Sequence, residues 1–321
     1  MDLPIELRQK ITALTAEIKA GELRNAAQGL SHRYRQARAD GKSLLEGEAD
    51  VLSYAVARMP ATYAAVYGCM QKLMNVYDEA LTSLVDVGAG TGAAGWAADA
   101  CFDLQHITFC ERDRNMAAVG QSLTSVVTSE ALRGAEWRGF DLNSGAVLPS
   151  AELVTASYVL NELSEAAALD AAQKMWQAAD KVLLIVEPGT PKAFARLLKI
   201  RDCLCADGAN VLAPCPHNGK CPLNGDDWCH FACRVARSKL HKQLKSASMG
   251  YEDEKFCYMA FGRQVPTEAF ERIIKPVKVS KAMVSFEVCR SDGTIARQNV
   301  AARDKVAYKA AKKWNWGDKI S

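Results

Sequence analysis

No apolar stretch in the 321 residues approaches the roughly 18 that a membrane-crossing helix needs, so no membrane partner is expected. The opening run MDLPIELRQKITALTAEIKAG carries Asp2, Glu6 and Glu17. It has neither the apolar h-region of a secretory signal nor the Arg- and Ser-rich texture of a transit peptide, and a cytoplasmic protein is expected. Internal repeats and low-complexity linkers are also missing. The tight C-x2-C pairs of a zinc ribbon are absent, although the chain has 11 cysteines. Net charge is scarce, at +3, but unevenly spread. Residues 231–321 hold 19 Lys and Arg against 9 Asp and Glu, whereas residues 1–230 hold 21 against 28. A basic C-terminal third on an acidic body is the outline of a nucleic-acid-binding appendage.

What is present divides the chain into three regions. Residues 1–80 read as a helical N-terminal layer, with apolar residues three and four apart in IELRQKITALTAEIKAG and an Ala-rich run around Pro60. Residues 81–207 alternate short apolar strands (SLVDVGAG, HITFCERD, AEWRGFDLN, AELVTASYVL, KVLLIVEPG) with helical stretches. That alternation predicts an α/β fold with a parallel, doubly wound sheet. Residues 208–321 begin with a Cys-, Pro- and Gly-rich stretch in which neither period survives. There follow a basic helix in RVARSKLHKQLKSASMG, a hairpin around Ser291-Asp292-Gly293, and a basic tail helix ending at Trp314 and Trp316.

The run DVGAGTGAAG closes a strand and opens a helix, where glycines let the backbone approach a ligand and helix N–H groups face outward. Gly90, Gly92 and Gly95 fit a dinucleotide fingerprint. Asp86, Gly88, Gly90 and Gly92 fit the acid-x-Gly-x-Gly-x-Gly loop of S-adenosylmethionine-dependent methyltransferases. Glu111, at the end of the next strand, suits the ribose hydroxyls in either case. Asp86 would sit badly beside a pyrophosphate but well near a cationic amino-acid end, so S-adenosylmethionine is preferred and a nicotinamide-dependent oxidoreductase is the rival. Asp141 suits the adenine amino group. Ser157, with the rest of SYVLNEL, closes the fourth strand at the face where substrate would enter. Asn161 and Glu162 are the candidates for orienting substrate, with Glu187 at the same mouth; helix capping is the plainer role for each.

The cysteines of CPHNGKCPLNGDDWCHFAC follow C-x5-C-x7-C-x3-C. Four thiolates satisfy either tetrahedral zinc or an iron–sulfur cluster, and this spacing leaves both open. His217 and His230 are further zinc candidates, with loop-shaping hydrogen bonds as their simpler role. The remaining cysteines, Cys69, Cys101, Cys110, Cys203, Cys205 and Cys257, read as small buried hydrophobes. No Asn/Asp-Pro-Pro-Tyr loop grips a base amine here, and no Pro-Cys pair falls at the fourth strand, so a recognisable catalytic loop is missing. Arg234, Arg237, Lys239, Lys242 and Lys245 are expected along one helix, and Lys309, Lys312 and Lys313 lie beside the two tail tryptophans. Such cations would bind phosphates and such aromatics would stack on bases, unless the tryptophans dock the tail on the core.

Taken together, YAVARMPATYAAVY, DVGAGTG, ASYVLNEL, EPGTP, CPHNGKCPL, DWCHF and YEDEKFCYMAF resemble the methyltransferase-like proteins associated with the mitochondrial small ribosomal subunit, and their bacterial relatives. The resemblance implies a class I methyltransferase (Rossmann-like) fold, binding to small-subunit ribosomal RNA, and a role in rRNA methylation or subunit assembly; a monomer is expected. It also implies a [4Fe-4S] cluster held by Cys215, Cys221, Cys229 and a fourth, distant cysteine matching Cys289, with Cys233 as the competing fourth ligand and zinc as the alternative metal. A non-catalytic assembly factor that keeps the fold as a scaffold is the other functional expectation.

Overall fold

The computed structural model describes residues 1–36, 45, 47–125, 127–223, 227–265 and 268–320. Four helices lead the chain: α1 (Ile5–Ala16), α2 (Ala20–Gln36), α3 (Glu48–Ala57) and α4 (Met59–Met74). Pro60 sits in the first turn of α4, where its missing N–H costs nothing. Then strands and helices alternate through β1 (Ser83–Val87), α5 (Ala93–Asp99), β2 (His106–Glu111), α6 (Arg114–Thr124), α7 (Glu130–Arg133), β3 (Glu136–Gly139) and β4 (Ala151–Ser157). A single 3-10 turn, Leu160–Glu162, precedes α8 (Glu165–Ala178), β5 (Ala179–Pro188) and α9 (Pro191–Ala206).

The first sheet continues past residue 207, where the expected division of the chain falls. Strands β6 (Asn210–Ala213) and β7 (Phe231–Ala236), the short helix α10 (Lys239–Leu244) and β8 (Tyr251–Gly262) complete it in the order β3-β2-β1-β4-β5-β8-β6, with β7 also on β8. Strands β1 to β5 pair in parallel, and β8 is antiparallel to both β5 and β6. The long helix expected from Arg234 is therefore a strand followed by a helix of 6 residues. In FACRVA, residues Phe231 and Val235 are buried while Ala232, Arg234 and Ala236 are exposed, a period of two that dictates a strand.

Both faces of the sheet are covered, so its central strands are mostly apolar, with Asp86, Thr155 and Glu187 as buried exceptions near their ends. Along β5, Val182, Leu184 and Val186 join the core under the N-terminal helices, while Leu183 and Ile185 join the core under α8 and α9. A second sheet holds β9 (Glu271–Ile273), β10 (Lys278–Val279), β11 (Met283–Cys289), β12 (Ile295–Ala301) and, after α11 (Lys305–Ala311), β13 (Lys319–Ile320). The expected hairpin is β11–β12, with Cys289 paired to Ile295 around Ser291–Gly293. Trp314 meets Phe286 edge-on at 5.0 Å between centroids and Trp316 meets His230 at 4.9 Å, so both tail tryptophans dock on the protein. Among the described residues no helix is long and apolar enough to cross a membrane.

The packing of α5 and α6 on β2 and β3 is close enough to test. Phe109 and Trp137 stack at 4.3 Å, and a Cβ at Gly120 would stand 2.0 Å from Trp137. Gly120→Ala should therefore lose about 1–3 kcal/mol through overpacking, despite the roughly 1 kcal/mol better helix propensity of alanine. A thermal melt at or above the wild-type midpoint would show that the contact yields freely.

Candidate cofactor cleft and cysteine cavity

The glycine loop lies at the carboxyl ends of β1 and β4, the crevice where open α/β sheets take ligands. Gly88 and Gly90 have φ of 69° and 56°, which side chains rarely tolerate. A Cβ at Gly88 would also stand 2.5 Å from Val159 Cγ2, so the loops after β1 and β4 touch only because this residue is glycine. The N–H groups of Gly88 and Ala89 donate to Cys110 O at 2.8 and 3.1 Å, fixing the loop to β2. Gly88, Gly90, Glu111, Asp141, Ser157 and Glu162 line one cleft of about 140 Å³.

Glu111 Oε2 accepts from the Gly90 N–H and Oε1 from the Asp113 N–H, both at 2.7 Å. A carboxylate offers about four lone-pair sites, so each oxygen retains capacity for a hydroxyl. Burial raises the Glu111 pKa and these backbone bonds oppose the shift. Asp141 Oδ1 accepts from the Asn143 N–H at 2.9 Å and turns its loop along the cleft. Glu162 is exposed by surface area yet faces the cleft, where desolvation and then Glu111 raise its pKa.

Other expected residues lie elsewhere. Asp86 is buried beneath the cleft opposite its strand neighbour Thr155, whose hydroxyl donates to Oδ1 at 2.7 Å, and Oδ2 has no protein partner. Burial, opposed by the Thr155 bond, pushes its pKa to about 7. Glu187 is also buried and does not line the mouth: Oε1 accepts from the Leu160 N–H at 3.1 Å, capping the 3-10 turn, and burial pushes its pKa to about 8. Asn161 is outside the cofactor cleft and donates to Tyr158 O at 3.0 Å. Tyr158, a residue the sequence did not single out, holds φ at 59° at the junction of β4 with the cleft.

Cys215, Cys221, Cys229 and Cys289 line one apolar cavity together with His217, whose Nε2 lies 3.4 Å from Cys289 Sγ. Cys233 does not line this cavity and packs against Ala61, Ala64 and Val235. Among the described residues no three His, Cys, Asp or Glu side chains form a group able to hold a single metal ion. Burial pushes the thiol of Cys215 to about 11 and that of Cys289 to about 12, each eased downward by Arg201. Arg201 and Arg272 are themselves buried. Arg201 donates to His217 O at 3.1 Å, and Arg272 to Pro214 O at 2.9 Å and Gly317 O at 3.0 Å. Arg201 Nε and Arg272 Nη2 have no partner in the protein. His230 stacks on Trp228 at 4.9 Å, away from this cavity.

The basic residues expected on one helix are dispersed. Arg234 pairs with Asp253, and both Arg237 and Lys245 pair with Glu252. Lys309, Lys312 and Lys313 are exposed.

The strand order, with one antiparallel strand between β5 and β6, and the glycine loop over β1 define a class I S-adenosylmethionine-dependent methyltransferase fold. A dinucleotide-binding sheet runs parallel in the order 3-2-1-4-5-6, so the oxidoreductase expectation does not hold. Residues 48–321 match the family described as Mitochondrial small ribosomal subunit Rsm22, and the chain belongs to that family. It is 27% identical to the human "Ribosome assembly protein METTL17, mitochondrial" over 83% of this chain and 61% of the relative. It is 22% identical to "Rsm22-cox11 tandem protein 2, mitochondrial" of Schizosaccharomyces pombe, over 84% of this chain and 42% of that one. The chain thus spans about three fifths and two fifths of these relatives' lengths. Among solved structures, magnesium protoporphyrin IX methyltransferase from Synechocystis with bound SAM is similar at 14% identity, covering 73% of this chain and 91% of that one, with a TM-score of 0.41. The N-methyltransferase NodS of Bradyrhizobium japonicum, in complex with S-adenosyl-l-homocysteine, is similar at 9% identity over 63% and 86%, with a TM-score of 0.39. Likenesses so slight leave the strand order as the basis of the fold assignment.

The family and both curated relatives are described as mitochondrial, which overturns the expected cytoplasmic location. That expectation rested on the composition of residues 1–21, which speaks only for those residues.

Buried acids make stability depend on pH. Glu187 keeps its proton in the folded protein up to about pH 8, whereas the unfolded chain releases it near its ordinary value of 4.5, so stability falls as pH rises between them. Urea unfolding at about pH 5.5 and about pH 8.5 should show Glu187→Gln losing on the order of 2 kcal/mol less than wild type across the interval. Equal losses in the two proteins would mean that Glu187 is ionised in the fold.

Proposed function

We propose that this protein binds S-adenosylmethionine in the cleft over β1 and β4 and acts on RNA of the small ribosomal subunit during subunit assembly. The observation that carries the reading is the convergence of Gly88, Gly90, Glu111, Asp141 and Ser157 on one cleft at the switch point of this sheet. Glu111 would take the ribose hydroxyls and Asp141 the adenine amino group, while Asp86 stands buried beneath the loop. When bound, the cofactor supplies an electrophilic methyl group. The word assembly follows the name of the human relative and the small subunit follows the family description.

Methyl transfer is the enzymatic form of this reading, with Glu162 as the carboxylate at the cleft and Asn161 beside it. The scaffold form is favoured by one observation: Glu187 is buried as a turn cap and Asn161 is tied to Tyr158 O, so the cleft presents few free catalytic groups. Titration with S-adenosylhomocysteine should show binding that Glu111→Gln weakens about tenfold or more. Wild-type protein that ignores S-adenosylhomocysteine would refute the cofactor reading. Incubation with labelled S-adenosylmethionine and undermethylated small subunits then separates the two forms by whether one nucleotide is labelled.

Cys215, Cys221, Cys229 and Cys289 are our proposed ligands of a [4Fe-4S] cluster, with a single zinc ion as the alternative. Four thiols around one cavity free of carboxylates support a metal–thiolate centre, and the unpartnered N–H groups of buried Arg201 and Arg272 suit the negative charge it would carry. The place of Cys289 in the cavity lining, which Cys233 does not share, favours Cys289 as fourth ligand. Protein purified without oxygen should carry iron and sulfide that are lost in Cys289→Ser and kept in Cys233→Ser. Zinc in their place, or loss only in Cys233→Ser, would reject this assignment.

A further inference from the structure

Tyr54, Tyr158 and Glu162 line the cofactor cleft and also a second, larger cavity of about 680 Å³. Its volume falls within the roughly 300–1,000 Å³ of small-molecule sites. Helices α2, α3 and α4 form one side, and the end of α10 with Lys245 to Ala247 forms another.

The chemistry of its lining is specific. Two aromatic side chains, Tyr54 and Tyr158, stand at the shared wall, and Leu30, Leu244 and Pro188 add apolar surface. Arg237 and Lys245 share one carboxylate, Glu252, at 2.8 and 2.9 Å. Two cations thus converge on one carboxylate at this wall of the cavity. His241 is 3.6 Å from the same carboxylate but adds no charge near neutrality, since burial and Lys245 push its pKa to about 4. Arg237 Nε is buried without a partner. Arg58, also in the lining, lies 3.7 Å from Glu254, which accepts from the Tyr158 hydroxyl at 3.0 Å. The Tyr158 hydroxyl is thus tied to Glu254 while its backbone holds a positive φ, a strain that clusters at functional sites.

We propose that this cavity is an acceptor chamber for one unstacked ribonucleotide of single-stranded RNA, its base against Tyr54 and Tyr158 and its phosphate against Arg237 and Lys245. A nucleotide uses each feature: an aromatic face for the tyrosines, an anion for the cation pair, and a polar base edge for Asn161 and Glu162 where the chamber meets the cofactor cleft. The proposal deepens the function given above and rests on it for the meaning of that junction. Base–aromatic stacking together with a phosphate contact suits single nucleotides binding in the millimolar range.

The test uses the whole chain, the four ribonucleoside 5′-monophosphates as probes, and two plugs introduced from opposite sides at solvent-facing or loop positions, Gln28→Trp and Ala247→Trp. At least one monophosphate should bind wild type at about millimolar concentration, and each plug should weaken it about tenfold while leaving S-adenosylhomocysteine affinity within about twofold. Nucleotide binding that neither plug alters, or no nucleotide binding by a protein that does bind S-adenosylhomocysteine, overturns the chamber and leaves the cofactor reading standing. Failure to bind S-adenosylhomocysteine with plug-sensitive nucleotide binding intact overturns the cofactor reading instead.

Discussion

Strand β8 is the constraint on which the rest of the molecule depends. Its last residues pair with β5 along one edge, while its other edge takes β7 over Tyr251–Phe256 and β6 over Ala260–Gly262. Because β6 and β7 lie end to end along one partner, the chain between them must leave the sheet after the residue opposite Ala260 and return opposite Phe256, about 13 Å further along β8. That excursion carries Cys215, Cys221 and Cys229. The cysteine loop is thus anchored at both ends by backbone pairing, and among its described residues none joins a ladder. Buried Arg201 and Arg272 supply the missing donors, binding the loop carbonyls of His217 and Pro214 from α9 and β9.

The same strand couples the two candidate sites. Phe256 to Tyr258 of β8 sit beside Glu187 and Pro188 at the end of β5, and Glu254, two residues earlier, receives the Tyr158 hydroxyl. Tyr158 bounds the cofactor cleft, whereas Cys257 contacts Pro188 O on the side nearer the cysteine cavity. A displacement of β8 would therefore be felt in both places. Ionic and aromatic contacts add to this frame without replacing it: Lys72 of α4 meets Asp318 next to β13, and Trp316 packs against Phe231. Rim pairs of this sort contribute little singly, so the packed aromatic contact is the stronger tie.

Much of this was legible in the sequence because the signals were local. Periods of two and of three to four revealed β1 to β5 and their helices, and the glycine spacing located the cleft. Strand β7 escaped because Arg234, Arg237 and Lys239 drew attention to charge, although the alternation of Phe231, Cys233 and Val235 was there to be read. Glu187 was legible as an acid at a strand end but not as a buried cap, since its partner, Leu160 N–H, is 27 residues away. The second cavity had no sequence signature at all. Its walls come from α2, α3, α4 and α10, which only the fold brings together.

Placement of charge follows the same logic. A chain with 40 cations and 37 anions has no shortage of partners, so a cation facing a cavity needs a reason to be there. Arg234 and Asp253 resolve each other on the surface, paired across β7 and β8. Arg237 and Lys245 instead share Glu252, so each is only partly balanced by it. Desolvation would favour removing one of the two, or replacing it with a neutral residue. Retention of both in a partly enclosed space is what an anionic occupant would balance, and the neighbouring cleft supplies a reason for that occupant to be held there.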